Sequence, residues 1–245
     1  MINNFDASPN YKPLYEQIKV LITQSLIQGE WRPGDAIPSE FDLASRFKVS
    51  QGTVRKAIDA LANERILIRK QGKGTFVATH EEEKIQLRFL RLTAEDGSKE
   101  HLKNTLLSFT RAKADKEISN CLDLKVGTAI YEIKRLLTFS NRPLIYDHIV
   151  VPASPFKGLN GQKIIEKQGS LYSLYETQYG IRMIRAEERL KAVSADAKIA
   201  RALNIKDKEP LLSIERVSFT YGDKPMEWRL GLCITDNHHY RNELE

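Results

Sequence analysis

Apolar residues recur at helical spacing in the first quarter of the chain and at strand spacing through most of the remainder. Leu14, Ile18, Leu21, Ile22 and Leu26 fall on one face of a leading helix. Phe41, Leu43, Ala44 and Phe47 give apolar surface to a shorter second helix, and Val54, Ile58 and Leu61, at i, i+4 and i+7, make the buried stripe of a third. Polar residues mark the starts. Ser39 has Asp42 three residues on, a capping-box arrangement, and Ser50 is placed to cap the third helix. Ile66, Leu67 and Ile68 then begin a strand, Gln71-Gly72-Lys73-Gly74 turns it, and Thr75-Phe76-Val77 returns. Two short capped helices followed by a basic, glycine-containing hairpin are the winged form of a helix-turn-helix.

Between residues 79 and 100 the pattern weakens, with a charged THEEEKIQ, an apolar FLRL and a polar TAEDGSKEH. The expected organisation is a domain over 11–79, a linker over 80–84 and a second domain over 85–241, with a flexible arm in the first ten residues.

The second domain repeats itself. Ala114-Asp115, Ile118, Leu122 and Ile133-Lys134-Arg135 recur 81 residues later as Ala195-Asp196, Ile199, Leu203 and Ile214-Glu215-Arg216. Each copy reads as strand, Asp-capped helix, strand, turn, strand. Two such units pair naturally into one antiparallel sheet with helices on a face, so the whole chain is expected to be α+β.

Charge sharpens the reading of the first domain. The chain as a whole carries only +6, but residues 46–73 hold eight Lys/Arg against two acids, as a polyanion would require. Gln51, Gly52, Thr53, Arg55 and Lys56 occupy the unburied start of the third helix, where a recognition helix meets base edges. The 245 residues, 41% of them hydrophobic, suit two domains. No apolar run approaches a membrane span and the N-terminus lacks a signal pattern, so a soluble, cytoplasmic protein is expected. Cys121 and Cys233 fit neither a zinc site nor a redox pair and read as ordinary buried thiols; no cofactor is implied.

The run from Pro13 to Val77 resembles the DNA-binding domain of GntR-type bacterial transcription regulators, through Gly29, Pro33-Gly34, Pro38-Ser39-Glu40, Val49-Ser50, Thr53-Val54-Arg55 and Gly72-Lys73-Gly74-Thr75. The resemblance implies contacts to double-stranded DNA from Gln51, Thr53 and Arg55, and minor-groove entry at Gly72. With their neighbours the expected DNA-binding set is Ser39, Arg46, Gln51, Gly52, Thr53, Arg55, Lys56, Gln71, Gly72 and Lys73. Phe41 departs from the family, in which an arginine at that place often touches DNA.

Residues 85 to 241 resemble the UTRA effector-binding domain of the HutC subfamily, a chorismate-lyase-like fold. The resemblance implies a homodimer on an inverted repeat and a small effector bound between the two repeats. The matching positions are Arg135, Asp147, Ser170, Tyr172 and Glu227. One cation would hold an anionic group while the carboxylates orient hydroxyls or an amine. A plainer reading makes Arg135 and Asp147 a cross-strand ion pair. Sugar-phosphate sensors carry a second arginine where this chain has Leu137 and a tyrosine where it has Cys233, so a phosphorylated amino sugar is not implied. Arg88 and Arg91 are substitute anion contacts, and a small carboxylate is the expected class.

Two other functions are open from sequence. The fold's likeness to a lyase admits an enzyme, yet GKGT at 72–75 fails the phosphate-loop pattern and no nucleophile-histidine-acid order stands out. Asp236, His238 and His239 imitate a metal cluster, but adjacent histidines on an extended segment point in opposite directions. An architectural DNA-binding protein without an effector is the other.

Overall fold

The computed structural model describes residues 12–79, 91–97, 102–166 and 171–242. Arg88, Ser170, the N-terminal arm and the 80–84 linker expected from sequence lie outside these residues. The chain forms two compact units, Met1–Thr79 and His80–Glu245.

In the first unit α1 (Leu14–Ile27) buries Ile18, Ile22 and Leu26, while Leu14 and Leu21, expected on the same face, are 49% and 40% exposed. Helix α2 (Glu40–Phe47) begins at a complete capping box: the Asp42 amide donates to Ser39 Oγ at 3.2 Å and the Ser39 amide to Asp42 Oδ2 at 3.3 Å. It buries Leu43 and Ala44. Phe41, expected to add apolar surface, instead stands exposed. Lys48 in the left-handed region ends α2, and Ser50 caps α3 (Gln51–Asn63), whose buried side is Val54, Ala57, Ile58 and Leu61.

The wing is β1 (Leu67–Lys70) paired antiparallel with β2 (Gly74–Val77). A third extended segment supports it. Around the Ala36–Phe76 bridge, the Ile37 amide donates to Thr75 O and the Val77 amide to Asp35 O, so the stretch after the Pro33-Gly34 turn lines the second wing strand.

The second unit contains β3 (Leu92–Ala94), β4 (Leu102–Lys113), α4 (Lys116–Cys121), β5 (Ala129–Phe139) and β6 (Arg142–Pro152). These are followed by α5 (Gly161–Glu166), α6 (Leu171–Tyr179), β7 (Arg185–Ser194), α7 (Ala197–Leu203), β8 (Pro210–Thr220), β9 (Lys224–Cys233) and β10 (His238–Tyr240). Six strands form one antiparallel sheet in the order β4-β5-β6-β9-β8-β7, which sets the two repeats back to back across β6 and β9.

The repeat holds in detail. Asp115 and Asp196 cap α4 and α7 through the amides of Ile118 and Ile199. Register shifts fall after Leu137 on β5 and after Ser218 on β8, again 81 residues apart. Gly127 and Lys208 occupy equivalent turn positions with φ of 85° and 63°, each donating its amide to the alanine before the cap.

Both sheet faces are covered. Helices α4 and α7, one from each repeat, pack on the side of Tyr146, Val150 and Trp228. Helices α5 and α6, inserted between the repeats, cover the side of Ile133, Ile149, Val151 and Met226. Cys233 is buried, whereas Cys121, expected buried as well, is half-buried.

Candidate DNA-binding and effector sites

The buried stripe of α3 fixes its rotation and leaves Gln51, Gly52, Arg55 and Lys56 exposed, with Thr53 half-buried beside its cap. Arg55 is not loose. Its Nε donates to Glu40 Oε2 at 2.9 Å, and the other oxygen of Glu40 accepts from Arg69 Nη1 at 2.8 Å. Arg69 also reaches Asp59, so α2, α3 and β1 are laced by one exposed ionic network. Burial works against the charge of Glu40, but its two arginine hydrogen bonds together outweigh that and hold the carboxyl below the usual range.

Arg46 is engaged elsewhere. It pairs with Glu30, with Nη2 3.0 Å from Oε2, and its guanidinium lies 5.7 Å from the Trp31 ring centre and 5.4 Å from that of Phe47. Ser39 is likewise occupied with its cap. At the wing tip Gln71, Gly72 and Lys73 are all exposed, Gly72 takes φ of 69°, and Lys70 Nζ lies 4.5 Å over the Phe76 ring. Beside the start of α3, Leu14, Tyr15, Gly52, Thr53 and Lys56 border an open cleft of about 400 Å³. Tyr15 was not singled out from sequence, because at the start of an amphipathic helix an aromatic residue reads as core.

In the second unit, the face beneath α6 holds a buried polar cluster. Arg135 and Asp147 are register partners on β5 and β6, and Arg135 Nε donates to Asp147 Oδ2 at 2.9 Å. That is the cross-strand ion pair of the plainer reading. Asp147 is completely buried, and Arg229 on β9 also grips it, Nε to Oδ1 at 2.8 Å and Nη2 to Oδ2 at 2.7 Å. Tyr172 donates to Glu227 Oε1 at 2.7 Å, and its hydroxyl lies 2.9 Å from Ser218 Oγ. Burial is the main influence on Glu227 and raises its pKa, against the pull of Arg229, Tyr172, Arg216 and Arg135.

Four of the seven effector residues expected from sequence, Arg135, Asp147, Tyr172 and Glu227, therefore share one face. Arg91 stands at the border of a neighbouring cavity, with its guanidinium on Asn242. The cavity measures only about 20 Å³, room for roughly one water, and is lined by Arg91, Arg216, Arg229, Ile145, Gly231 and Cys233. Burial pushes the Cys233 thiol up to about 12, so it lines this space as an inert thiol. Arg216 and Arg229 were missed in the sequence. The signal was present: Arg216 is the repeat equivalent of Arg135, and Arg229 lies two residues beyond Glu227 on the same strand face.

Asp236 pairs with Arg142 at 2.5 Å, and His238 is buried while His239 is exposed, the opposed directions expected of neighbours on a strand. Among the described residues no group of three or more His, Cys, Asp or Glu is placed to hold a metal, and no helix is long and apolar enough to cross a membrane.

A winged helix with a basic exposed face, carried on one chain with an α+β domain that encloses a polar cluster, defines a DNA-binding transcription regulator. The chain matches the gntR family of bacterial regulatory proteins over residues 14–77 and the UTRA domain over 98–239. It belongs to the GntR family, with a UTRA effector domain. It is 30% identical over 96% of both chains to the uncharacterized HTH-type transcriptional regulator YurK of Bacillus subtilis. It is also 30% identical, over 94% of this chain and 95% of the other, to the mannosyl-D-glycerate transport/metabolism system repressor MngR of Escherichia coli. The ligand-binding domain of a GntR-family regulator from Bordetella bronchiseptica superposes with a TM-score of 0.63 and 38% identity, covering 64% of this chain and 98% of that one. These relatives are named as regulators and not as enzymes.

Proposed function

We propose that this protein is an effector-controlled repressor: a homodimer that binds an inverted-repeat operator through α3 and the wing, and releases or tightens on it when a small anionic metabolite occupies the second domain. Gln51, Gly52, Thr53, Arg55 and Lys56 read or clamp the major groove, and Gln71, Gly72 and Lys73 follow the adjacent backbone or minor groove. A single small winged helix spans too few base pairs for specificity, and a two-fold protein matches a two-fold site. The boundaries fitting this division of labour are 11–79 for the reader, 80–84 for the linker and 85–241 for the sensor and dimer contact.

The observation that carries the effector reading is the polar cluster of Arg135, Asp147, Tyr172 and Glu227. It lies beneath α6 against apolar packing, where an architectural protein gains nothing from buried charge. Several relatives are named as repressors, and one belongs to a mannosyl-D-glycerate system, whose compound carries a carboxylate on a polyol. A carboxylated polar metabolite fits a cluster of arginines and hydrogen-bonding acids.

The test combines two measurements on the full chain. Sequencing of DNA fragments selected by the protein yields the operator, and light scattering of the complex gives its stoichiometry. A melting screen against central metabolites then finds the effector, which should change operator affinity by about 5- to 150-fold. One reader per site, or a stabilising metabolite without effect on DNA binding, would sink the proposal.

A further inference from the structure

Among the described residues of the first unit, Phe41 is the most exposed large apolar side chain, at 67%. It stands in the first turn of α2, which buries Leu43 and Ala44 and leaves Phe41 and Ser45, one turn apart, on the outside. A lone exposed apolar residue needs no explanation on an ordinary surface. This one is mounted beside the recognition helix. Glu40, the residue before it, is gripped by Arg55 of α3, with Nη2 2.9 Å from Oε2, and by Arg69 of β1, with Nη1 2.8 Å from Oε1. Those bonds fasten the start of α2 to the recognition helix and to the wing at once, and the Ser39–Asp42 capping box fixes the turn itself. The exposed side chains around it, Gln51, Arg55, Lys56, Gln71 and Lys73, are all hydrogen-bonding or charged. They suit base edges and phosphates, and a phenyl ring suits neither.

We infer that Phe41 is a specificity residue of the DNA reader, packing its ring against the C5-methyl group of a thymine at the edge of the stretch read by α3. The inference rests on the DNA-binding reading above and adds an apolar element to it. The thymine methyl is the one apolar feature that distinguishes a base pair in the major groove, and phenylalanine is among the side chains that match it. In a helix-turn-helix the helix before the recognition helix crosses the backbone at the groove wall, which is where such methyl groups line the edge. Burying the ring there removes apolar surface from water twice over, on the protein and on the base.

The experiment uses the full chain and a duplex that it enriches from a random-sequence pool. Each thymine of that duplex is replaced in turn by deoxyuridine, which removes the methyl group and keeps every hydrogen-bonding group. For the wild type, one such replacement should weaken binding about fourfold, the equivalent of about 0.8 kcal/mol for one buried methyl-sized group. Phe41→Ala should bind the thymine duplex at least that much more weakly and show no further loss with deoxyuridine at the same place. Phe41→Leu, which keeps an apolar tip, should retain part of the methyl effect. Because Phe41 is exposed, both variants should melt with the wild type. Equal losses for Phe41→Ala on the selected duplex and on random DNA, with no sensitivity to deoxyuridine, would place the ring on the sugar-phosphate backbone and overturn the inference. A deoxyuridine effect undiminished in Phe41→Ala would assign the methyl group to another side chain and overturn it as well. In both cases the DNA-binding reading stands. A wild type that enriches no duplex at all would overturn that reading, and this inference with it.

Discussion

Arg55 Nε donates to Glu40 Oε2 at 2.9 Å, which ties the recognition helix to the first residue of the helix before it. On the proposed reading, the acid orients a side chain with two competing uses, an internal ion pair and a contact to DNA, and it would place a negative charge near the phosphate backbone. Glu40→Gln should therefore raise affinity for random DNA while lowering the preference for operator over random sequence. Stability should change little, because exposed ion pairs of this kind contribute about 0–1 kcal/mol. Fluorescence anisotropy with both DNAs, together with a thermal melt, checks the expectation; an unchanged preference would refute the orienting role.

Arg55 and Lys73 should separate base reading from charge. Arg55→Ala is expected to cost about 1–3 kcal/mol of operator binding with the melting temperature nearly unchanged. Lys73→Ala at the wing tip should weaken all DNAs similarly and flatten the dependence of log affinity on log salt by about one unit. A salt titration on both variants distinguishes the two.

Asp147→Asn should be the most damaging single substitution in the second unit. It keeps the shape but leaves Arg135 and Arg229 buried against a neutral amide, and breaking a buried pair in this way costs about 3–5 kcal/mol. Urea unfolding followed by Trp228 fluorescence measures it. A loss below 1 kcal/mol, roughly that of an exposed pair, would show the cluster to be hydrated.

Glu227 gives a pH dependence of defined sign. Its pKa is raised in the folded protein, chiefly by burial, so the unfolded chain loses this proton first as pH rises. Stability from this group is fully present below its ordinary value of 4.5 and falls as pH climbs toward the raised folded value. Glu227→Gln keeps an oxygen to accept from Tyr172 and cannot ionise. Its melting temperature should exceed that of the wild type at neutral pH and match it near pH 4, an order-of-magnitude choice of acid reference. Equal melting curves at both pH values would mean that Glu227 titrates normally.

Lys208 stands with φ of 63° at the turn where the first repeat has Gly127. A left-handed backbone costs a residue with a Cβ about 1–2 kcal/mol, partly offset by the greater chain entropy of glycine when unfolded. Lys208→Gly is expected to stabilise by up to about 1 kcal/mol. Chemical denaturation checks it, and a destabilised variant would point to a side-chain role for Lys208.

Much of the architecture was legible because local chemistry agreed with global packing. Ser39, Ser50, Asp115 and Asp196 announced helix starts that each became a hydrogen-bonded cap, and the 81-residue offset announced the doubled sheet. What escaped depends on partners distant in sequence. The segment at Ala36 lines the wing through backbone hydrogen bonds that no side-chain pattern signals. Phe41 and Leu21 showed that an apolar residue at roughly the right spacing is not thereby buried. Arg229 reads in sequence as one polar position of a strand, and only the β6–β9 register brings it to Asp147, 82 residues away.

That register has a consequence for the symmetry of the UTRA domain. Asp147 is opposite Arg135 on its ladder and Arg229 is opposite Arg216 on the matching one, so the duplicated frame puts an acid and a base at corresponding places on either side of its internal axis. A symmetric cradle would accept a small molecule either way round. Here the charge is uneven between the halves, an acid facing its arginine in one and two arginines facing each other in the other, so a guest with unlike ends would settle in a single orientation. Duplication built the frame, and one exchange of acid for arginine gave it a direction.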